Sequence, residues 1–137
     1  TGVDYSPVSV KTSLKTNRQD VESGKMKVLE GSVEALPFAD DGFDKIITVE
    51  SFYFWPDPQE NLKEVRRVLK EGGTFLLVAD TYNKEGLDPK TLENICRFHL
   101  FTPTAEEFRK LFEKAGFTDI QIHVKEGTDW ICVEGKK

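Results

Sequence analysis

The sequence predicts an α/β fold with a doubly wound, mostly parallel sheet that ends in an antiparallel C-terminal hairpin. Two nearly unbroken apolar segments, 43–50 and 74–80, are separated by an amphipathic segment of helical period, which is typical of a βαβ unit. Two alternating segments near the C-terminus are separated by the turn-forming residues 126–129, which is typical of a hairpin.

Length and charge narrow the class of protein. A chain of 137 residues can bury one core, so a single domain is predicted over residues 1–137. The formal net charge is −5, and the basic residues form no run with interleaved aromatic side chains. Nucleic-acid binding depends on a basic surface, so we expect no nucleic-acid partner. No apolar run approaches the roughly 20 residues of a membrane-spanning helix, so no membrane partner is expected.

The two cysteines, Cys96 and Cys132, lack the paired spacing of a zinc site and the density of a secreted disulfide scaffold. No metal site is therefore expected. Both cysteines lie among apolar residues in the sequence, so we expect buried, reduced thiols and a cytoplasmic protein.

The N-terminal residues 1–4 resemble the end of a strand that is already under way, so we expect that an upstream segment of the fold is absent. The next segment, 7–22, is predicted as a helix because Ser6 can cap it, although Asn17 interrupts its apolar face. Residues 25–30 follow as a short strand bounded by glycines.

A helix is predicted after the strand 43–50, because Asp57 can cap it and Pro58 suits its first turn. The glycine pair 72–73 is expected to end this helix. The strand 74–80 comes next, which completes the βαβ unit.

Towards the C-terminus, a short helix is predicted over 90–97. Thr104 and Glu107 have the spacing of a capping box, and they predict a helix that ends near Gly116. The two strands of the hairpin are predicted over 120–124 and 130–134.

Four signatures occur in a specific order and spacing: GVDYS at 2–6, GSVEALPFADDGFD at 31–44, LKEVRRVLKEGG at 62–73 and FRKLFEKAGF at 108–117. Together they resemble the class I, Rossmann-like S-adenosylmethionine-dependent methyltransferases, and in particular the type 11 enzymes related to ubiquinone-biosynthesis methyltransferases. The resemblance implies S-adenosylmethionine as cofactor, S-adenosylhomocysteine as product and a small-molecule methyl acceptor. It also implies that the first strand and the glycine-rich loop are absent, since no GxGxG occurs.

The resemblance assigns Asp4, at the end of the family's second strand, to the ribose hydroxyls of the cofactor. One carboxylate can accept from both hydroxyls, which suits this role. Tyr5 would then lie against the adenine. A turn or helix-capping role for Asp4 is the alternative, but Ser6 already serves as a cap candidate.

The resemblance also places the loop after the third strand against the adenine. Here the loop reads Gly31, Ser32, Val33, where the family commonly has an aspartate in the second place. Ser32 can offer only a neutral contact, about half as strong as a charged one. Val33 can still offer its backbone N–H, and Glu34 is either a substitute acceptor or a solvated residue.

The end of the fourth strand, Glu50 and Ser51, falls where the family approaches the methionine portion of the cofactor and its methyl group. Open parallel sheets bind ligands at the carboxyl ends of their strands, which favours the same position. Of the four aromatic residues that follow, Tyr53 and Trp55 are the candidates for the mouth of a substrate site, and the others are expected to pack.

The cofactor supplies the reactivity for methyl transfer, so the protein contributes chiefly by bringing the reactants together and by excluding water from them. If the acceptor must lose a proton, His99, Glu50 or the hydroxyl of Tyr82 could assist. A single histidine between apolar neighbours, as His99 is, is more often structural, so its place at the substrate is the weaker alternative.

Two other functions are compatible with the sequence. One is a non-catalytic remnant that acts through association with another chain, since exposed sheet edges favour pairing and could give a homo-oligomer. The other is a nicotinamide-binding domain, which shares the aspartate at a strand end, but which fits the ALPF loop and the terminal hairpin poorly.

Overall fold

The computed structural model describes residues 1–137, which form six strands, five α-helices and a short 3-10 helix. The chain divides into two compact units, Thr1–Pro37 and Phe38–Lys137. The predicted single domain over residues 1–137 stays a prediction.

The first unit contains two short strands and two helices. The elements are β1 (Gly2–Asp4), α1 (Pro7–Thr16), α2 (Arg18–Glu22) and β2 (Val28–Glu30). The strands pair in parallel, with Asp4 opposite Glu30. Ser6 caps α1 as predicted, but the predicted single helix is divided at Asn17, whose backbone leaves the helical region.

The second unit is built on a four-stranded mixed sheet. Its strands are β3 (Phe43–Val49), β4 (Leu69–Ala79), β5 (Thr118–Val124) and β6 (Ile131–Lys136), in the spatial order β3-β4-β6-β5. Strands β3 and β4 are parallel, whereas β6 is antiparallel to both β4 and β5. The predicted α/β class and the C-terminal hairpin are confirmed.

The helices of the second unit are α3 (Pro58–Val68), α4 (Pro89–Phe98) and α5 (Ala105–Lys114), and the 3-10 helix is Phe52–Phe54. Asp57 caps α3, and Thr104 with Glu107 forms the predicted capping box of α5. Helix α3 ends at Val68, earlier than predicted, because β4 already begins at Leu69 and pairs there with β3.

The core of the second unit lies between one face of this sheet and the helices α3 and α5. Its fully buried side chains include Leu62, Val68, Phe75, Leu77, Phe108, Phe112, Ile131 and Val133. The opposite face of β3 is more open, since Ile47 and Val49 are 63% and 51% exposed.

Gly135 of β6 lies against Phe112 of α5 and the following Phe117. A Cβ at this position would be 2.9 Å from the ring of Phe112 and 3.1 Å from Cβ of Phe117. Because both neighbours belong to the core, we expect Gly135→Ala to lower the free energy of unfolding by about 1–3 kcal/mol. Urea denaturation measures this, with Gly42→Ala as control, since a Cβ there meets only backbone oxygens at 3.5 Å or more. Equal midpoints for the two variants would contradict the packing described.

The cysteines differ from the expectation. Cys96 is exposed and Cys132 is half-buried, and both are free thiols. Cys96 is exposed because it lies on α4, which has no fully buried residue. None of the helices is long and apolar enough to cross a membrane.

Candidate functional site

The first group of predicted cofactor residues lies at the carboxyl ends of β1 and β2. Asp4 ends β1, and its carbonyl oxygen accepts the N–H of Gly31 at 3.0 Å. Parallel pairing thus brings Asp4 and Tyr5 beside the loop that carries Ser32 and Val33.

The Asp4 carboxylate has one engaged and one unengaged oxygen. Its Oδ1 accepts the backbone N–H of Ser6 at 2.8 Å, while the Ser6 hydroxyl accepts the N–H of Ser9 at 3.4 Å. Asp4 therefore does take the turn role that the sequence allowed, and Oδ2 remains for a ligand. Beside it, Tyr5 is 76% exposed and presents a ring to solvent.

The loop after β2 is stabilised by its own side chains. The Ser32 hydroxyl donates to the Glu34 carboxylate at 3.0 Å and accepts the Glu34 N–H at 3.2 Å. The Ser32 hydroxyl, which stands where the family commonly has an aspartate, therefore makes its hydrogen bonds within the loop. The N–H of Val33 makes no hydrogen bond within the chain and is free for an acceptor.

The second group lies at the carboxyl ends of β3 and β4, which are parallel neighbours. Val49 pairs with Val78, and the N–H of Glu50 donates to the Val78 carbonyl at 3.0 Å. Glu50 and Asp80 thus follow adjacent strand ends, where ligands of parallel sheets bind.

Tyr53 connects these two carboxyl groups. Its hydroxyl donates to Oδ1 of Asp80 at 2.8 Å and lies 3.4 Å from Oε2 of Glu50, and it accepts the N–H of Thr81 at 3.1 Å. Tyr53 is 7% exposed. The 3-10 helix therefore supplies a buried phenol that fixes Glu50 and Asp80 relative to each other.

Burial and the nearby carboxyl groups raise the pKa values of Glu50 and Tyr53. Burial first, and then the neighbouring Asp80, raise the pKa of Glu50 to about 7. Burial likewise raises the pKa of Tyr53 well above its usual value, so its hydroxyl keeps its proton. Two atoms in this group, Oε1 of Glu50 and Oγ1 of Thr81, are buried without a hydrogen-bond partner.

Ser51 follows Glu50, and its hydroxyl forms a short hydrogen bond with the Thr48 hydroxyl. Trp55 is half-buried, with its ring stacked on Phe75 at 6.4 Å between centroids and tilted against Phe52 at 5.0 Å. Tyr53 and Trp55 both contact other aromatic rings within the chain. That either residue contacts the substrate stays a prediction.

His99 and Tyr82 lie apart from this hydrogen-bond network. His99 is exposed and ends α4 in a left-handed conformation with φ of 51°. The ring of Tyr82 lies 5.7 Å from the Lys84 ammonium group. No hydrogen bond orients the His99 side chain, so its predicted place at the substrate has no structural support.

Asp80 is the residue that sequence reasoning missed. It is the last residue of the segment TFLLVAD, directly after a buried strand, and this position could have indicated it. The hydrogen bond between Asp80 and Tyr53 joins residues that are 27 positions apart in the sequence. It forms because β3 pairs with β4, and this pairing could not be read from the sequence.

Each unit of this α/β protein thus carries polar groups at the carboxyl ends of parallel strands, where such sheets bind ligands. The chain belongs to the methyltransferase domain family, whose model matches residues 1–77. The predicted resemblance is confirmed, and with it S-adenosylmethionine as the cofactor of the family.

Relatives and solved structures agree. The chain is 33% identical over 120 residues to 2-methyl-6-phytyl-1,4-hydroquinone methyltransferase 1, chloroplastic, of Oryza sativa subsp. japonica, an alignment covering 88% of this chain and 34% of the rice protein. A SAM-dependent methyltransferase of Thermotoga maritima superposes with a TM-score of 0.73 at 25% identity, over 99% of this chain and 72% of that one. This chain therefore spans about a third of the length of the rice relative.

The phosphoethanolamine N-methyltransferase 2 of Haemonchus contortus, solved with S-adenosyl-L-methionine, superposes with a TM-score of 0.84 over 99% of this chain and 42% of that one. Its identity is 14%, so this likeness shows the fold alone.

Proposed function

We propose that this chain takes part in S-adenosylmethionine-dependent methyl transfer to a small-molecule acceptor. One observation carries the proposal: the free oxygen of Asp4, the free N–H of Val33 and the exposed ring of Tyr5 lie together at the ends of β1 and β2. A ribose hydroxyl, an adenine ring nitrogen and an adenine face need these three partners.

The residues of this chain would bind and orient the reactants. Asp4 would accept from the ribose hydroxyls, and Val33 would donate to the adenine. The cofactor supplies an electrophilic methyl group on a sulfonium sulfur, so the protein contributes mainly alignment and exclusion of water. Glu50 and Ser51 follow the end of β3, where a methyl acceptor or the methionine portion would be held.

Calorimetric titration of the chain with S-adenosylhomocysteine tests the proposal directly. Binding with one site per chain would support it, and the absence of binding by a folded chain would contradict it. A substituted 1,4-hydroquinone is the first acceptor to assay, because a hydroquinone methyltransferase is among the relatives.

Asp4→Asn is expected to weaken S-adenosylhomocysteine binding about 10- to 100-fold, because hydrogen bonds to a charged acceptor contribute about 1.5–3 kcal/mol. Asparagine keeps an oxygen for the Ser6 N–H, so the turn is retained. Calorimetry measures the change, and Asp20→Asn, an exposed charge in the same unit, is the matched control. Equal affinities for the two variants would exclude Asp4 as a ligand.

A second candidate function is association with another chain without catalysis. Strands β1 and β3 each have a hydrogen-bonded neighbour on one side only, and such edges favour pairing. Analytical ultracentrifugation tests it, since a monomer at all concentrations would exclude self-association.

The cytoplasmic location stays a prediction.

A further inference from the structure

We propose that Glu50 accepts the proton that the methyl acceptor loses, with Tyr53 and Asp80 as positioning residues that hold its carboxyl group. This inference rests on the proposed function and adds a base to it. It concerns only residues of the second unit, at the ends of β3 and β4.

The position of Glu50 is fixed by the backbone and by Tyr53. Its N–H is bound to the Val78 carbonyl, and its Oε2 lies 3.4 Å from the Tyr53 hydroxyl. Tyr53 is itself fixed by Asp80 and by the N–H of Thr81. A base held in this way loses little conformational freedom when an acceptor arrives.

Two buried polar atoms in this group have no partner in the chain. They are Oε1 of Glu50 and Oγ1 of Thr81, whose residue is 7% exposed. Buried polar atoms are almost always hydrogen-bonded, so these two atoms have room for a partner from outside the chain, either water or a bound ligand. A carboxylate oxygen accepts, so the missing partner of Oε1 is an O–H, N–H or acidic C–H donor.

The charged and titratable groups around Glu50 favour a proton acceptor that works near neutral pH. Tyr53 from the 3-10 helix and Asp80 from the end of β4 are the groups that act on its acidity, and neither is basic. Burial and Asp80 bring the pKa of Glu50 to about 7, and general bases are most effective near the ambient pH.

The proposed step balances in atoms and charge. The hydroxyl of the acceptor gives its proton to Glu50, and the electron pair released forms the new bond to the methyl carbon. The bond between that carbon and sulfur breaks with its pair on sulfur, which becomes a neutral thioether. Glu50 leaves the step as a carboxylic acid and returns its proton to water.

His99 and Tyr82 are less well placed than Glu50 to act as this base. His99 is exposed and no hydrogen bond orients its ring. Tyr82 lies beside the Lys84 ammonium group and is not bonded to the strand-end carboxyl groups. Glu50 alone combines a fixed position with a buried, unpartnered acceptor atom.

The first test follows the Glu50 carboxyl signal by NMR in the 137-residue chain with isotope-labelled glutamate. We expect one carboxyl that titrates near neutral pH, that is absent in Glu50→Gln and that titrates at lower pH in Asp80→Asn. With S-adenosylhomocysteine present, methylhydroquinone should shift this signal. A carboxyl that titrates in the ordinary range, or a signal that methylhydroquinone leaves unchanged, would overturn the inference.

The second test compares methylation of methylhydroquinone with S-adenosylhomocysteine affinity. Glu50→Gln should slow transfer about 100-fold or more, as loss of a general base does, and remove the dependence of rate on pH near neutrality. Its affinity for S-adenosylhomocysteine should stay within about twofold, and Glu126→Gln, an exposed residue, is the control. A parallel loss of affinity would make Glu50 a cofactor ligand and overturn the inference. If the unsubstituted chain does not bind S-adenosylhomocysteine, the proposed function fails, and the inference fails with it.

Discussion

Phe75→Ala is expected to lower the free energy of unfolding of the second unit by about 3–5 kcal/mol. Phe75 is fully buried in β4, and its ring contacts those of Phe112, Phe117 and Trp55 at 5.5, 5.7 and 6.4 Å between centroids. Alanine would leave a cavity in the middle of this cluster, and the surrounding elements cannot close it without moving the helices from the sheet.

Urea denaturation followed by tryptophan fluorescence measures this change. Both tryptophans, Trp55 and Trp130, lie in the second unit, so the signal reports that unit alone. Phe54→Ala is the control, because Phe54 is 61% exposed and its loss should change stability by less than about 1 kcal/mol. Similar midpoints for Phe75→Ala and Phe54→Ala would show that the aromatic cluster does not stabilise the unit.

The same substitution should disturb the strand-end carboxyl group. Trp55 follows the 3-10 helix directly and stacks on Phe75, so Phe75 supports the segment that carries Tyr53. The position of the Tyr53 hydroxyl, and through it that of Glu50, thus depends on packing in the core. Stability and the candidate site are coupled through these aromatic rings.

Local signals in the sequence predicted most of the fold. Helix α5 follows from Thr104 and Glu107, whose reciprocal hydrogen bonds form over three residues. Strand β3 follows from a run of β-branched residues. Such signals depend on neighbours in sequence, which is why the order of elements could be predicted while some boundaries shifted.

Contacts between distant segments could not be predicted in this way. Strand β6 lies between β4 and β5, although it follows both in the chain. The sequence indicated Glu50 and Tyr53 separately, but not that Asp80 joins them, because no local pattern encodes a bond over 27 residues. The exposure of Cys96 was missed for the same reason, since burial depends on what a helix packs against.

Glu50→Gln is expected to stabilise the second unit above neutral pH and to have little effect at about pH 4, below the ordinary pKa of the group. The pKa of Glu50 rises from an ordinary value of 4.5 to about 7 in the folded protein. A raised pKa means that the folded state holds the proton more tightly, so this stabilisation is complete below the ordinary pKa and is lost as pH rises through the folded value. Above about pH 7 the folded protein must hold a partly buried carboxylate beside the carboxyl group of Asp80.

The expected size follows from the shift. One pKa unit corresponds to about 1.4 kcal/mol, and because Glu50 is only partly buried and shares its site with Asp80, we expect a gain of about 1–3 kcal/mol at about pH 8. Urea denaturation at both pH values measures it, with Glu126→Gln as a control that should show no such pH dependence. Asp80→Asn should also make the free energy of unfolding depend less on pH, since Asp80 contributes to the raised pKa of Glu50. If the Glu50→Gln difference were the same at both pH values, Glu50 would titrate alike in the folded and unfolded chain, and its role as a base poised near neutrality would lose its physical ground.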